Sequence, residues 1–325
     1  MTIHPFRDRK GLPHSFRIGH GMIIDMHTHL WPASSTSADL LSYFEKRKMA
    51  DRLSHYFSAE GLLELMEKHS IAGSVVSAIP LSRGMKNEDL APFNDHVEGE
   101  VVHADGKLMG FCTVDPLGGA ESVRVVRHCI EERGFRGLKL HPCIQEFYPY
   151  DERVFPLYET MQEFGLPILM HTGGLGIVGF RDRFGHPEYL DDVACLFPGL
   201  PIIMGHGGRL WYDETAILLR KHPNIYADIS TNFGRSKDAR SEPLTWMLDK
   251  VKIWAGSLNS ILYGSDYPFY FQDETFELLR GVKRHIQDSS QGPVTGEELD
   301  AICEDNPSRF CERYGLSFKG LRTAS

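Results

Sequence analysis

The sequence predicts an α/β chain folded as a (β/α)8 TIM barrel, and three observations carry that expectation. Eight short β-branched or apolar runs recur along the 325 residues. Amphipathic segments separate most of them, so the strands pair in parallel, because each crossover helix covers a sheet face. The turn after the first run holds Asp25-Met26-His27-Thr28-His29, where an open doubly wound sheet would carry a glycine-rich phosphate loop.

The runs fall at 22–27, 74–79, 108–114, 137–141, 167–171, 201–206, 224–230 and 260–266. Between the third and fourth, Val123, Val126 and Ile130 lie at helical spacing, and Arg133-Gly134 supplies a basic last turn and a cap. A further crossover helix is expected over 152–164, ahead of the Gly165-Leu166-Pro167 turn. The stretch 30–73 is too long for one loop and one helix, and it predicts an inserted helical segment after strand 1. A C-terminal helical extension is expected over 295–314, opened by the Thr295/Glu298 capping-box pattern. With no linker in sight, residues 1–325 read as a single barrel domain.

Hydrophobic residues make up 42% of the chain and charged residues 24%, which suits a soluble protein with a sizeable core and excludes disorder. The net charge is -9, and no basic block exceeds Glu45-Lys46-Arg47-Lys48, so a nucleic-acid partner is not expected. No stretch approaches a membrane-spanning helix, and Met1 to Gly21 lacks the apolar core of a signal peptide. The six cysteines show no CxxC spacing, as in a reducing compartment. A cytoplasmic location is expected.

Sixteen histidines are many for this length, and five of them stand at strand ends. In a strand, residues i and i+2 face the same way, so His27 and His29 project together into the barrel mouth while Thr28 turns away. Lys139 and His141 share a face at the end of strand four, strand five ends in His171, strand six in His206 and strand eight in Asp266. Taken singly, His171 and His206 read as core histidines and Asp266 as a helix cap. Taken together they fall where the catalytic groups of such barrels collect, at the C-terminal strand ends. A lysine inside an otherwise apolar strand is costly without a partner.

This ordered set resembles the amidohydrolase superfamily, specifically its amidohydrolase-related branch with decarboxylase-like and lactonase-like members. The resemblance runs from about Met22 to the Asp305-Asn306-Pro307-Ser308-Arg309-Phe310 segment. It implies that His27, His29, His171 and Asp266 bind a divalent metal, most often zinc in that family, with His206 beside the ion. Three imidazoles and a carboxylate satisfy a borderline-soft dication and leave a position open. Such an ion can bring bound water to a pKa of about 7. Asp266 could then shuttle protons, and His206 could polarise a carbonyl or act as acid or base. In binuclear members a carboxylated lysine on strand four bridges two metals, and Lys139 resembles it in position. Its Gly-Leu-Lys-Leu-His-Pro context favours one ion, with Lys139 a catalytic-site cation available to an anionic substrate.

Mouth loops add an arginine and aromatic residues. Arg209, Trp211 and Tyr267, with His141 facing inward beside Lys139, are the expected substrate-binding residues, suited to a small planar molecule carrying a carboxylate. The insertion, with Trp31, Tyr43 and Phe44, fits equally a helical cap over the site and a subunit interface in a homo-oligomer. The first functional expectation is a metal-dependent hydrolase acting on an amide, ester, lactone or activated C–C bond, toward which Lys139 tilts the reading. The alternative is a metal-dependent non-oxidative decarboxylase, a lyase of aromatic or conjugated carboxylic acids. A metal-binding protein without turnover is a third reading, weakened by the presence of Asp266 and His206.

Overall fold

The computed structural model describes residues 22–47, 49, 52–236, 239–289 and 292–319, so the expectation for Met1 to Gly21 lies outside the described residues. All eight expected strands form: β1 (Ile23–His29), β2 (Ile71–Ser77), β3 (Leu108–Thr113), β4 (Leu138–Leu140), β5 (Ile168–His171), β6 (Ile202–Gly205), β7 (Ile225–Asp228) and β8 (Ile261–Leu262). Every neighbouring pair is parallel, and the sheet order is the chain order. The seam between the last and first strands closes through backbone. The Met26 amide donates to the Tyr263 carbonyl at 2.9 Å, Asp266 to His27 at 2.8 Å and His29 to Tyr267 at 2.7 Å. These bonds fix the register of the two segments that carry His27, His29 and Asp266.

The strands are buried because helices cover them. Ile24, Val75, Leu138, Ile168, Ile203 and Ile261 have no exposed surface and belong to one continuous apolar core. The helices, in order, are α1 (Ala38–Lys46), α2 (Leu53–Tyr56), α3 (Ala59–His69), α4 (Asn87–His103), α5 (Ala120–Glu131), α6 (Pro142–Gln145), α7 (Phe155–Phe164), α8 (Tyr189–Leu196), α9 (Tyr212–Lys221), α10 (Glu242–Ala255), α11 (Gln272–Ser289), α12 (Gly296–Cys303) and α13 (Asp305–Arg313). The expected α5 buries Val126 and Ile130, and Gly134 turns the chain just beyond it with φ +75°.

Three expectations need correction. The insertion does not reach residue 73, because β2 already begins at Ile71, and α3 is the ordinary crossover that packs on β2. The helix expected over 152–164 is a 3-10 turn, Glu152–Val154, followed by α7. Pro156 suits the first turn of α7, where its missing amide leaves no bond unmade. The terminal extension is two helices. The Thr295/Glu298 capping box does open α12, but Glu304 at φ -115°, ψ -69° breaks the run, and Pro307 sits in the first turn of a new helix.

The insertion is anchored at the mouth by aromatic packing. Trp31, Phe44 and Phe57 are buried, with the Trp31 ring 4.3 Å from Phe57 and 5.5 Å from Phe269, which follows β8. Truncating such a ring to alanine costs about 3–5 kcal/mol, enough to hold this segment in place.

Candidate active site

On β1, His27 and His29 project together although the strand bulges between Asp25 and Thr28. Their tautomers follow from their partners. The Asp228 carboxylate accepts from His27 Nδ1 at 2.7 Å, which leaves His27 Nε2 without a proton and an acceptor for Lys139 Nζ at 3.1 Å. The Ser77 hydroxyl donates to the Thr28 carbonyl at 3.1 Å and lies 2.7 Å from His29 Nδ1, so it accepts there and His29 Nε2 is without a proton as well. The two Nε2 atoms face each other at 3.1 Å. Asp266 Oδ1 lies 3.2 Å from His29 Nε2 and 3.7 Å from His27 Nε2. Lone pairs of this kind aimed at one point are the donor set of a cation site. Among the described residues, donor atoms of His27, His206 and Asp266 lie within 4.8 Å of one another.

His206 and His171 occupy the opposite side. Ser230 donates to Asp228 Oδ1 and accepts from His206 Nδ1 at 2.7 Å, so His206 Nε2 accepts from His171 Nδ1 at 3.0 Å. His171 Nε2 is left buried with no protein partner. The His141 ring stacks on His171 at 3.8 Å, and its Nδ1 accepts the Ile144 amide that opens α6. Arg209 donates to the Gly174 carbonyl at 3.1 Å and to the Thr231 hydroxyl, while its buried Nε finds no partner.

The backbone makes this convergence possible. His206 and Asp266 both have φ +66°, a left-handed conformation that non-glycine residues adopt at a cost and that gathers at functional sites. A glycine required by sterics precedes each, directly before His206 and two positions before Asp266. A Cβ on Gly264 would sit 2.9 Å from His27 Cβ, and one on Gly205 would sit 3.0 Å from His27 Cε1. The His27 ring fits because both positions are glycine.

Burial sets the charge states. It pushes His27 down to about 4, with the Lys139 ammonium acting in the same direction, and drives His29, His141, His171 and His206 well below the usual histidine range. Neutral imidazoles are what a metal needs. Lys139, fully buried with Nζ 3.1 Å from His27 Nε2, is lowered to about 8 by burial, against the pull of Asp266 and Asp228. Burial lifts Asp266 to about 6, opposed by His27, Lys139 and Arg209. Asp228 stays below the carboxylate norm despite its burial, because the His27 ring compensates it.

Two sequence-derived candidates are not brought into this cluster. Tyr267 is fully buried with its ring 5.9 Å from Phe271, and its hydroxyl lies beside Gly61 of α3, so it packs behind the mouth. Trp211 caps α9 and packs its ring 4.7 Å from His186. Asp228, conversely, is central and was not anticipated. Its signal was a carboxylate near the end of the seventh apolar run, the same position that singled out Asp266 on the eighth. Asp25 is the other omission: fully buried, it accepts from the Ser265 amide and hydroxyl and from Gln272, and so ties β1 to the segment carrying Asp266.

Comparison with known proteins agrees with this architecture. A search of curated proteins finds no match. Among solved structures, the chain is similar to a dihydroxybenzoic acid decarboxylase from Polaromonas sp. JS666 with bound manganese and the inhibitor 2-nitroresorcinol, at 17% identity and TM-score 0.66 over 89% of this chain and 96% of that one. A 5-carboxyvanillate decarboxylase from Sphingomonas paucimobilis matches at 13% identity and TM-score 0.62, covering 91% and 99%. An uncharacterized TIM-barrel protein from Bordetella bronchiseptica matches at 19% identity and TM-score 0.64, covering 90% and 99%. At these identities the likeness is one of fold. The family model described as amidohydrolase spans residues 24–312, nearly the whole chain, and this protein therefore belongs to the amidohydrolase family of metal-dependent enzymes.

Proposed function

We propose that the protein is a metal-dependent non-oxidative decarboxylase of a small aromatic or conjugated carboxylic acid. The observation that carries this reading is Arg209, whose buried Nε lacks a partner next to the histidine cluster. A fixed guanidinium with an unmet donor invites a carboxylate, which it can grip as an oriented, charge-assisted pair. The decarboxylases among the similar structures support the same choice.

The donor set fits a divalent cation. The unprotonated Nε2 atoms of His27 and His29, the unpartnered Nε2 of His171 and the Asp266 carboxylate are the proposed ligands. Manganese, as in one relative, and zinc both accept such a set. A bound dication would supply a Lewis acid for the negative charge that develops on a substrate oxygen.

The chain's own residues do the rest. Arg209 orients the carboxylate, and the stacked imidazoles of His141 and His171 offer a flat wall to a planar substrate. Loss of carbon dioxide leaves an electron pair on carbon, and a proton must arrive there. Asp266 at the metal position and His206, with a donor atom within 4.8 Å of it, are the acid-base groups placed to pass that proton. Hydrolysis is the second reading, and Lys139 favours it, since a cation 3.1 Å from His27 Nε2 would help a nucleophile form.

Incubating metal-loaded protein with a panel of aromatic carboxylates, esters and lactones separates the two. Release of carbon dioxide with formation of the carboxyl-free product is expected. Ester or lactone cleavage without carbon dioxide would overturn the decarboxylase reading.

A further inference from the structure

A second group of metal-ligating side chains lies at the other end of the barrel. Asp191 and Cys195 are four residues apart on α8 and so share one face. His222 follows α9 directly, at the start of the turn into β7. Donor atoms of Asp191, Cys195 and His222 all lie within 4.8 Å of one another, and His222 Nε2 is 2.6 Å from Asp191 Oδ1. The His222 side chain is only 7% exposed, so its ring is held by packing, whereas Cys195 is exposed.

A cation already sits among these groups. The Lys221 ammonium donates to both Asp191 oxygens at 2.7 Å. The Cys195 thiol belongs to the same group of donor atoms. With His222 Nε2 at 2.6 Å and Lys221 Nζ at 2.7 Å, the Asp191 oxygens accept as a carboxylate.

We infer that Asp191, Cys195 and His222 form a peripheral binding site for a borderline-soft divalent cation of the zinc class, in which Lys221 is the resident competitor. The ligand chemistry selects the ion. One thiolate, one imidazole and one carboxylate, with a fourth position for water, match tetrahedral zinc, while magnesium and calcium require all-oxygen sets of higher number. The proton balance is explicit. The Cys195 thiol loses its proton to solvent, His222 moves its ring proton from Nε2 to Nδ1, and the Lys221 ammonium swings out to water. The carboxylate and the thiolate then neutralise the dication. The C-terminal ends of α8 and α9 lie at the face opposite the catalytic mouth, where barrels keep stability rather than chemistry, so the bound ion would act as a staple between the two helices.

The test reads Cys195 and not turnover. Of the six cysteines, Cys195 alone is exposed, so a maleimide added to the native, metal-loaded enzyme labels it selectively, as peptide mass spectrometry resolves. The thiolate is the reacting form, and a coordinated one is shielded, so added zinc chloride should slow labelling by about tenfold or more. Magnesium chloride at the same concentration should leave the rate unchanged. Lys221→Met should lower the zinc concentration needed for protection. His222→Ala and the half-buried-site variant Asp191→Asn should each abolish protection, and zinc should raise the thermal midpoint of the wild type but not of Cys195→Ser. An unchanged labelling rate with zinc, equal protection by magnesium, or protection that persists in both ligand variants overturns the proposal. None of these readouts depends on the reaction assigned to the barrel mouth.

Discussion

The two sides of the catalytic mouth are built differently. On the side of β1, β7 and β8, each donor is fixed by a partner on another strand: His27 by Asp228, His29 by Ser77, and the Ser265-Asp266 segment by Asp25. On the side of β5 and β6, His171 Nε2 and Arg209 Nε are buried with nothing to bond. Beyond His171 the chain runs into a loop whose Val178 is completely exposed and whose Gly176 and Gly179 take positive φ. Buried polar groups are nearly always paired, so the asymmetry assigns tasks. The paired side holds a geometry in advance, and the unpaired side waits for something to arrive. A metal drawn to the first side and met by His171 from the second would lie beside a carboxylate drawn to Arg209.

The comparison predicts different failures on the two sides, and the largest belongs to the residue that faces both. Asp266→Asn keeps the shape but removes the proton-holding carboxylate, so turnover should fall by roughly a thousandfold, within the usual range for losing an acid-base group. Steady-state assay of the metal-saturated variant checks this. Turnover at the wild-type rate would mean that the site is misassigned.

Next comes the brace. Asp228 touches no ligand position itself, yet it orients His27 through Nδ1 and receives the His206 amide at 3.0 Å. Losing such an outer partner typically costs 10–100-fold in metal affinity, so Asp228→Asn should show that loss in a chelator competition titration. With excess metal, its substrate KM should stay near wild type. If affinity were unchanged and KM rose instead, the division between the two sides would collapse.

On the open side, Arg209→Gln should do the opposite. Hydrogen bonds to charged groups contribute about 1.5–3 kcal/mol, which converts to a rise in KM of about 10- to 100-fold for a carboxylate substrate. Metal content should not change. A fall in bound metal with unaltered KM would place Arg209 on the structural side.

The strand-end residues of both sides were legible in sequence. Strand ends in a parallel barrel advertise themselves, since buried strands read as apolar runs and the polar residue that ends each run stands out, as His171 and His206 do. The bracing was not legible, because its partners are remote. His27 and Asp228 are 201 positions apart, and no spacing rule links them until β7 is placed beside β8. Helix boundaries erred where single residues decide. Glu304 carries no breaking signal of its own, and Pro307 reads as a start only once a break before it is known. Tyr267 looked like a mouth residue because it follows Asp266, but the left-handed turn at Asp266 sends the tyrosine side chain back toward α3.

The smallest effect asks whether the bracing continues into the outer helices on the paired side. Asp273 stands in the first turn of α11, with Lys68 Nζ at 2.8 Å and His69 Nε2 at 2.9 Å from the last turn of α3. Both helix dipoles favour this arrangement, with an acid at an N-terminus and bases at a C-terminus. The His69 imidazole, against partial burial and with Lys68 assisting, holds the Asp273 carboxyl down at about 2 from its ordinary 3.8. A carboxylate whose pKa is depressed by folding stabilises the native state fully above the unfolded value, and that contribution is lost as pH falls from about 4 through about 2. The side chain is 44% exposed, so solvent screening reduces the linkage value to less than about 1 kcal/mol. Urea unfolding of the wild type and Asp273→Asn at pH 5.5 should differ by that amount, and at pH 3 the difference should shrink. Equal differences at both pH values would show that the contact acts through packing and not through charge, and the electrostatic bracing would then end at the barrel wall.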